Sequence, residues 1–591
     1  MKRKQKIKMA IRLFFCDFAQ RDILFLFLFT FSTLLIAQSP KHELRAVWIS
    51  SAGGDWPKST DVVEQQRALV KILDNLKKHN FNTVFFQVRP RGNTFYKSSI
   101  EPWAAQLSGV LGKDPGWDPL EFAIEESRKR GLQLHAWFNV AKVWGSDNLP
   151  QDQQHITRAH RNWIQQVENE WWVDMGNPDV REYTENLVKE IVNSYDIDGI
   201  HFDFIRYPSE KFDDWKSFRT WSDGMDRSNW RRNNITSFIR TCYEFIHEEK
   251  PWIKVGATPL GIYQSINGAQ SMFNGYSGVF QDSRWWLSEG ILDYVVPQLY
   301  WTIGEQKNPN DPDFEALCND WVRENYGRHV YAGIGSYRDN IQEEIREQID
   351  VTRNTFAEGQ AFFRYEHAAY LIDQIGEAYR FPALVPRMVW KDSIPPNAPK
   401  NISIDRNDRF DVLIKWSESE ISADKEEART FVVYRSSVKN IDIQRSENIL
   451  SVVPASQFSF RDETTNGKEY FYSVTAVDRA GNESGETEHP LTGIQTIFSR
   501  YSKAKTSVTL VQNFPNPVVS TTYIAFEIPQ RNLISLNVKH TVTQQETTIV
   551  QGMKESGIHI VAFDAKKFSA GLIEYRLHAG EAIITKMMEK K

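Results

Sequence analysis

The sequence predicts a multidomain chain: an α/β domain built as a closed (β/α)8 barrel, followed by two small all-β sandwiches. Three observations carry the prediction. From residue 44 to about 390, a short apolar strand, a polar loop and a helix recur eight times. The proline-rich stretch Pro395-Pro396-Asn397-Ala398-Pro399 then ends that pattern with a stiff linker. Beyond it, apolar residues alternate with a period of two in short runs bounded by turn residues. With 591 residues the chain is too long for one core.

The first 37 residues stand apart. Lys2, Arg3, Lys4, Lys6, Lys8, Arg12 and Arg21 precede or flank an apolar run from Ile23 to Ala37, followed by Gln38-Ser39-Pro40. This reads as a secretory signal peptide over 1–37, because fifteen apolar residues are short for a membrane span. No later stretch is apolar enough to cross a bilayer. Removing 1–37 shifts the formal charge from −5 to about −10, and an acidic protein is a poor partner for nucleic acid. Cys16 lies in the signal, while Cys242 and Cys318 fall in helices of non-adjacent repeats and are expected as free buried thiols.

Each repeat of the barrel can be justified in turn. Strand one is Leu44–Ser50, leading into Gly53-Gly54-Asp55-Trp56-Pro57, and helix one, 62–79, has Val63, Leu69, Val70, Leu73 and Leu76 at helical spacing. Strand two is Thr83–Arg89, with Arg91, Asn93, Tyr96 and Trp103 in its loop. The next helix, 118–130, starts at an Asp118 cap and stops at Gly131. Strand three is Leu132–Asn139, followed by a long loop to residue 178 that contains Trp144, Trp171 and Trp172, and then by a helix at 179–195. Strand four opens the stretch Asp198-Gly199-Ile200-His201-Phe202-Asp203-Phe204-Ile205-Arg206-Tyr207-Pro208, which begins as a buried strand and ends as a polar, aromatic loop. Strand five is Ile253–Ala257, six is Tyr294–Tyr300, seven is Val330–Ser336 and eight is Ala361–Glu366. The barrel domain spans 43–392.

In parallel α/β sheets ligands bind at the carboxyl ends of the strands. Asp55, Arg89, Asn139, His201, Asp203, Gln298, Tyr300 and Glu366 all fall at or just beyond such ends. Any one of them alone is as well explained by a hydrogen bond at the barrel rim. Asp203 is the most telling, since a carboxylate in the middle of a hydrophobic strand is costly unless something uses it. Arg206 and Tyr207 follow it and are expected on the substrate side. Eighteen of the nineteen tryptophans lie between Trp48 and Trp390, most of them in loops. Loop packing accounts for many, but flat aromatic faces also stack on sugar rings, and Trp56, Trp103, Trp144 and Trp301 are the expected ligand contacts. No metal-ligand spacing occurs. His135 and His201 lie on different strands, His135 is expected inside the barrel, and Asn308–Asp313 is better read as a turn with an Asp cap than as a calcium loop. No cofactor is called for, and a monomer is expected.

These residues carry a resemblance. Leu44–Ile49 with Asp55-Trp56-Pro57, Gln87-Val88-Arg89-Pro90, Pro102-Trp103, Asp118-Pro119-Leu120, His135–Asn139, Asp198–Asp203 with Arg206-Tyr207-Pro208, and Pro297–Trp301 are similar, in that order, to the glycosyl-hydrolase-like 10 family. The resemblance covers about 43–390. It implies a TIM barrel distantly akin to the alpha-amylase superfamily, with activity on glycosidic bonds and bacterial cell-wall glycan as the leading substrate class. In amylase-like barrels the nucleophile is the aspartate ending strand four, the place of Asp203. The acid glutamate of strand five has no counterpart, because that strand here runs into Ala257-Thr258-Pro259-Leu260-Gly261.

Glycoside hydrolysis usually needs one ionised and one protonated carboxyl group. Asp203 is the expected nucleophile or base, its pKa held down by Arg206 or Arg89. Glu366, behind Phe362, Phe363 and Tyr365, is the first candidate for the acid and Asp55 the second. The alternative is assistance by a substrate N-acetyl group, oriented by Tyr300 and Asn139. The sequence leaves these open, as it does a rival reading in which an idle barrel only binds glycan.

After the barrel, 395–492 resembles a fibronectin type III domain, with Trp416 as core tryptophan and Tyr470 or Tyr472 at the tyrosine corner. A flexible linker is expected at 493–508. Residues 509–591, opening Asn513-Phe514-Pro515-Asn516-Pro517, resemble the C-terminal sorting domain of the bacterial type IX secretion system. With the signal peptide, this implies export through the periplasm to the surface or medium and makes that secretion machinery a partner.

Overall fold

The computed structural model describes residues 39–591 apart from 268, 272, 305–311, 407–410, 466–469, 486–507 and 514–515. The expected signal peptide, most of the 493–508 linker and most of the Asn308–Asp313 turn lie outside the described residues. The described chain forms two compact units, residues up to Lys391 with Arg445–Glu447, and Asp392–Gln444 with Asn448–Lys591. No helix among the described residues is long and apolar enough to cross a membrane.

The first unit is a near-closed parallel barrel. Its elements in order are β1 (Leu44–Ile49), α1 (Val62–Lys78), β2 (Thr83–Arg89), α2 (Pro119–Lys129), β3 (Gln133–Asn139), α3 (Pro178–Ser194), β4 (Gly199–Asp203), α4 (Arg227–Glu249), β5 (Lys254–Ala257), α5 (Ser283–Ser288), β6 (Tyr294–Val295), α6 (Phe314–Arg323), β7 (His329–Val330 and Ala332–Ile334), α7 (Ile345–Asn354), β8 (Gly359–Phe362) and α8 (Ile372–Ala378). The two segments of β7 flank Tyr331; the first pairs with β6 and the second with β8. β1 pairs with β2 on one side and β8 on the other, so nine short strands form eight parallel staves. The expected barrel domain is thus seen as a sheet, while the boundaries assigned from sequence shift. Strand six is cut to two residues ahead of Pro297, which has no N–H for a ladder. Strand eight ends at Phe362, so Glu366 sits four residues further on, in the helical turn Tyr365–Ala368.

The strands follow a period of two. Val47, Val84, Phe86, Leu134, Ala136, Ile200, Phe202 and Val255 face the helices and share a core with Leu69, Leu73 and Leu76 of α1 and Leu187 and Ile191 of α3. The opposite parity fills the interior with Trp48, Phe85, Trp137, Tyr294, Tyr331 and Ala361. Each such buried aromatic contributes about 1.5–3 kcal/mol of transfer free energy. The interior rings lean over glycines of neighbouring strands: a Cβ on Gly256 would lie 2.1 Å from the Tyr294 ring, and one on Gly199 2.6 Å from His135. Asp118 caps α2 by accepting the N–H groups of Leu120 and Glu121, and Gly131 follows the helix at φ +67°. Asp313 caps α6 through the Glu315 N–H at 2.9 Å. Cys242 and Cys318 are buried free thiols, as expected.

The long connection after β3 is not a plain loop. Lys142–Trp144, Ile164–Val167 and Glu170–Val173 form a three-stranded antiparallel sheet. The second unit holds four antiparallel sheets. Lys400–Arg406, Val412–Ser417 and Ser459–Asp462 make one, and Thr430–Ser436, Ile449–Pro454 and Phe471–Val477 another; they share a core with Trp416, Phe431, Tyr472 and Val474. Thr509–Leu510, Thr521–Ile528 and Gly557–Asp564 make the third. Asn532–His540, Glu546–Lys554, Gly571–Ala579 and Ala582–Lys590 make the fourth, with Phe526, Leu536, Tyr575 and Leu577 between these two.

Candidate active site at the carboxyl end of the barrel

The inward parity of β4 is Gly199, His201, Asp203, so Asp203 is the last inward side chain at the carboxyl end. Its Oδ1 accepts the Phe204 N–H at 2.6 Å, and its Oδ2 accepts the Trp137 indole N–H at 3.2 Å. Phe204 turns the chain at φ +49°, a left-handed conformation that costs a non-glycine residue on the order of 1–2 kcal/mol. The turn is pinned because the Val140 and Ala141 N–H groups donate to the carbonyls of Asp203 and Phe204 at 2.8 and 3.2 Å.

Asp203 is 7% exposed. Burial pushes its carboxyl up to about 6, while the Phe204 N–H, the Arg206 charge, Trp137 and Lys142 pull the other way without cancelling that effect. The depressed pKa expected from the sequence is therefore overturned. Arg206 does act, but its guanidinium lies over the Trp172 ring at 4.9 Å and donates to the Tyr207 carbonyl. Arg89 is spent elsewhere. It forms a buried fork with Glu101, at 2.8 and 2.6 Å, and donates to the Asn139 and Val140 carbonyls.

Asp203 opens onto a cleft of about 330 Å³. Neutral polar groups on its wall come from Ser50, Gln87, Asn139 and Gln298. Trp137, Phe204, Tyr300, Tyr337 and Phe363 supply aromatic surface, and Arg91 and Lys142 the cations. Gln87 Oε1 accepts from Ser50 Oγ and from the Ser51 and Ala52 N–H groups at 3.0–3.2 Å, fixing the loop after β1. Asn139 donates to the Pro90 carbonyl at 2.8 Å, and its buried Oδ1 has no hydrogen-bond partner among the described residues. Burial, reinforced by the charge of Asp203, pushes the Tyr300 hydroxyl well above its usual range, so it stays a neutral phenol. Lys142 is ion-paired to Glu170.

Asn139, Gln298 and Tyr300 thus share the cleft with Asp203, whereas the two expected acids do not line it. Asp55 Oδ2 accepts the Ser50 N–H at 2.7 Å, its Oδ1 accepts the Glu366 N–H at 2.6 Å, and Arg364 stands 3.2 Å away. With its side chain wholly buried, Asp55 ties the loop after β1 to that after β8. Glu366 is not in an apolar setting; its Oε2 accepts from Arg364 at 2.6 Å and its side chain is 39% exposed. Among the described residues lining the cleft, Asp203 is the sole carboxylate.

Other expected ligand contacts are redirected into packing. His201 lies one layer below Asp203, stacked on Phe85 at 4.2 Å, accepting from Trp48 Nε1 and bonded to the Tyr294 hydroxyl; burial holds it neutral. His135 joins the same stack through Tyr294, as expected. Tyr207 is buried and accepts from Asn234. Trp56 stacks on Trp117 and against Phe95, Trp144 donates to the Asn148 carbonyl, and Trp103 and Trp301 pack against the outer core. The tryptophan that reaches the cleft is Trp137, inside a strand. Parity alone could have found it, being two residues before Asn139. The same rule marks Phe363, two residues after the inward Ala361.

The family model for glycosyl hydrolase-like 10 matches residues 43–350. The chain is 32% identical over 482 residues to the glycosyl hydrolase YngK of Bacillus subtilis (strain 168), covering 76% of this chain and 93% of that one. It is 30% identical over 336 residues to the glycosyl hydrolase DigH of Escherichia coli (strain K12), covering 51% and 75%. An endo-beta-1,4-mannanase structure from Thermotoga petrophila aligns over 94% of this chain and 98% of its own at 11% identity and a TM-score of 0.36, a likeness that decides nothing about substrate. By the match of sequence over its barrel, the chain belongs to the glycosyl hydrolase-like 10 family.

Proposed function

We propose that this glycoside hydrolase cleaves the glycan strands of peptidoglycan, with Asp203 as proton donor and the N-acetyl group of the substrate as internal nucleophile. One observation carries the reading: among the described residues, a single buried carboxyl group with a raised pKa lines the cleft, beside an acceptor, Asn139 Oδ1, that none of them satisfies. A two-carboxylate mechanism needs a partner across the scissile bond. Asp55 and Glu366 are committed to Ser50 and Arg364.

In the first step the acetamido carbonyl oxygen attacks C1, the glycosidic C1–O bond breaks, and the Asp203 proton passes to the leaving oxygen. Asn139 Oδ1 accepts the acetamido N–H, which strengthens as positive charge builds on the resulting oxazolinium ring. In the second step the Asp203 carboxylate takes a proton from water as the water adds to C1 and the ring opens. The anomeric configuration is retained and Asp203 is again protonated. Tyr337, 43% exposed, offers a flat face for a sugar ring.

We also propose export to the cell surface or medium. The basic and apolar character of residues 1–37 supports this, as do the motifs of 509–591 that resemble a type IX sorting domain. The antiparallel sheets at 400–477 suit a fibronectin type III-like spacer within 395–492.

The test is release of reducing ends from peptide-free peptidoglycan, with the product anomer followed by proton NMR. New reducing ends of retained configuration, and competitive inhibition by a thiazoline mimic of the oxazolinium, are expected. Inversion would overturn the internal nucleophile. Binding without new reducing ends would favour a barrel that only holds glycan.

A further inference from the structure

We infer that Arg91 is a specificity residue that reads a carboxylate carried by the glycan, an inference that rests on the glycosidase reading of the same cleft. The cleft has two cations, and only one is neutralised. Lys142 is ion-paired to Glu170, whereas the Arg91 guanidinium forms no hydrogen bond or ion pair among the described residues. It is exposed on the cleft wall, with its central carbon about where a side chain on Gly145 would meet it at 3.7 Å.

The backbone around Arg91 is held far more firmly than an idle surface arginine requires. Asn139 donates to the Pro90 carbonyl at 2.8 Å, and His155 Nε2 lies 2.9 Å from the Arg91 carbonyl. His155 Nδ1 accepts the Thr157 N–H, so Nε2 carries the proton and donates to Arg91. Gly92 follows at φ +67°, where a Cβ would lie 3.0 Å from the His155 ring. The loop thus presents a bare planar fork to the cleft of a net-acidic chain. A guanidinium recognises a carboxylate through two parallel N–H···O bonds. The substrate class is therefore an N-acetylated glycan with an acidic substituent, either a lactyl ether or a uronate.

The experiment measures kcat and KM for wild type, Arg91→Gln and Arg91→Lys on peptide-free peptidoglycan strands and on hyaluronan, each compared with the same polymer after its carboxyls are reduced to alcohols. Wild type is expected to prefer an acidic strand over its neutral form by roughly 10-fold in kcat/KM, a difference of 1.4 kcal/mol carried mainly by KM. Arg91→Gln should lose that preference, its kcat/KM falling far more on the acidic strand than on the reduced one. Arg91→Lys should restore part of it, and the preference should shrink at high salt. A preference confined to peptidoglycan strands assigns the lactyl acid, and one confined to hyaluronan the uronate. Equal losses on acidic and neutral strands, or none on either, would overturn the inference. The same comparison is read by calorimetric binding in an Asp203→Asn background. If no strand is hydrolysed but Arg91→Gln abolishes preferential binding of the acidic form, the glycosidase reading fails and the role of Arg91 stands.

Discussion

Asp203→Asn should make the barrel more stable at pH 8 and less stable at pH 4. The carboxyl is 7% exposed and its pKa is raised from 3.8 to about 6. At about 1.36 kcal/mol per unit, keeping it ionised in the fold costs about 3 kcal/mol. The folded protein holds this proton more tightly than the unfolded chain, so wild type loses stability as pH climbs from about 4 to about 6 and carries the full penalty above that window. Asparagine does not titrate. It still accepts the Phe204 N–H but cannot satisfy Trp137 equally well, a loss of about 1 kcal/mol at every pH. The variant should therefore be about 2 kcal/mol more stable at pH 8 and about 1 kcal/mol less stable at pH 4. Urea unfolding of the full chain followed by tryptophan fluorescence reports this directly, since eighteen of nineteen tryptophans precede residue 391. Parallel pH profiles for wild type and variant would refute the burial argument.

Three further outcomes follow from the same contacts. If Asp203 must be protonated to act, kcat/KM should fall as pH rises through about 6; a rate that instead falls on the acid side would assign Asp203 the ionised role. Glu366→Gln should keep kcat within about threefold, whereas loss of a general acid would cost roughly 10²–10⁴. Glu101→Ala should lower stability by about 3–5 kcal/mol, because it strands the buried Arg89 guanidinium, and a urea-unfolding change under about 1 kcal/mol would contradict that reading.

Periodicity revealed much of this site and misplaced part of it. The barrel strands were readable because inner and outer faces are both apolar, giving near-continuous runs such as Thr83–Arg89. Asp203 was readable because a carboxylate ends such a run. His201 has the same parity but lies two residues earlier, one layer deeper, where it stacks on Phe85 and bonds to the Tyr294 hydroxyl. Arg89 looked like a cleft cation because its partner Glu101 lies twelve residues on, past a loop whose fold no local pattern gives. Phe362, Phe363 and Tyr365 give Glu366 an apolar setting in the sequence, but Arg364 in the same run folds back to neutralise it. Trp137 lies inside a strand rather than after one, and is at once part of the interior and a donor to Asp203.

The most direct test is turnover of peptide-free peptidoglycan by Asp203→Asn, with folding checked by circular dichroism. A fall in kcat of roughly 10³-fold or more with binding retained is expected if Asp203 is the general acid. Turnover equal to wild type would contradict it.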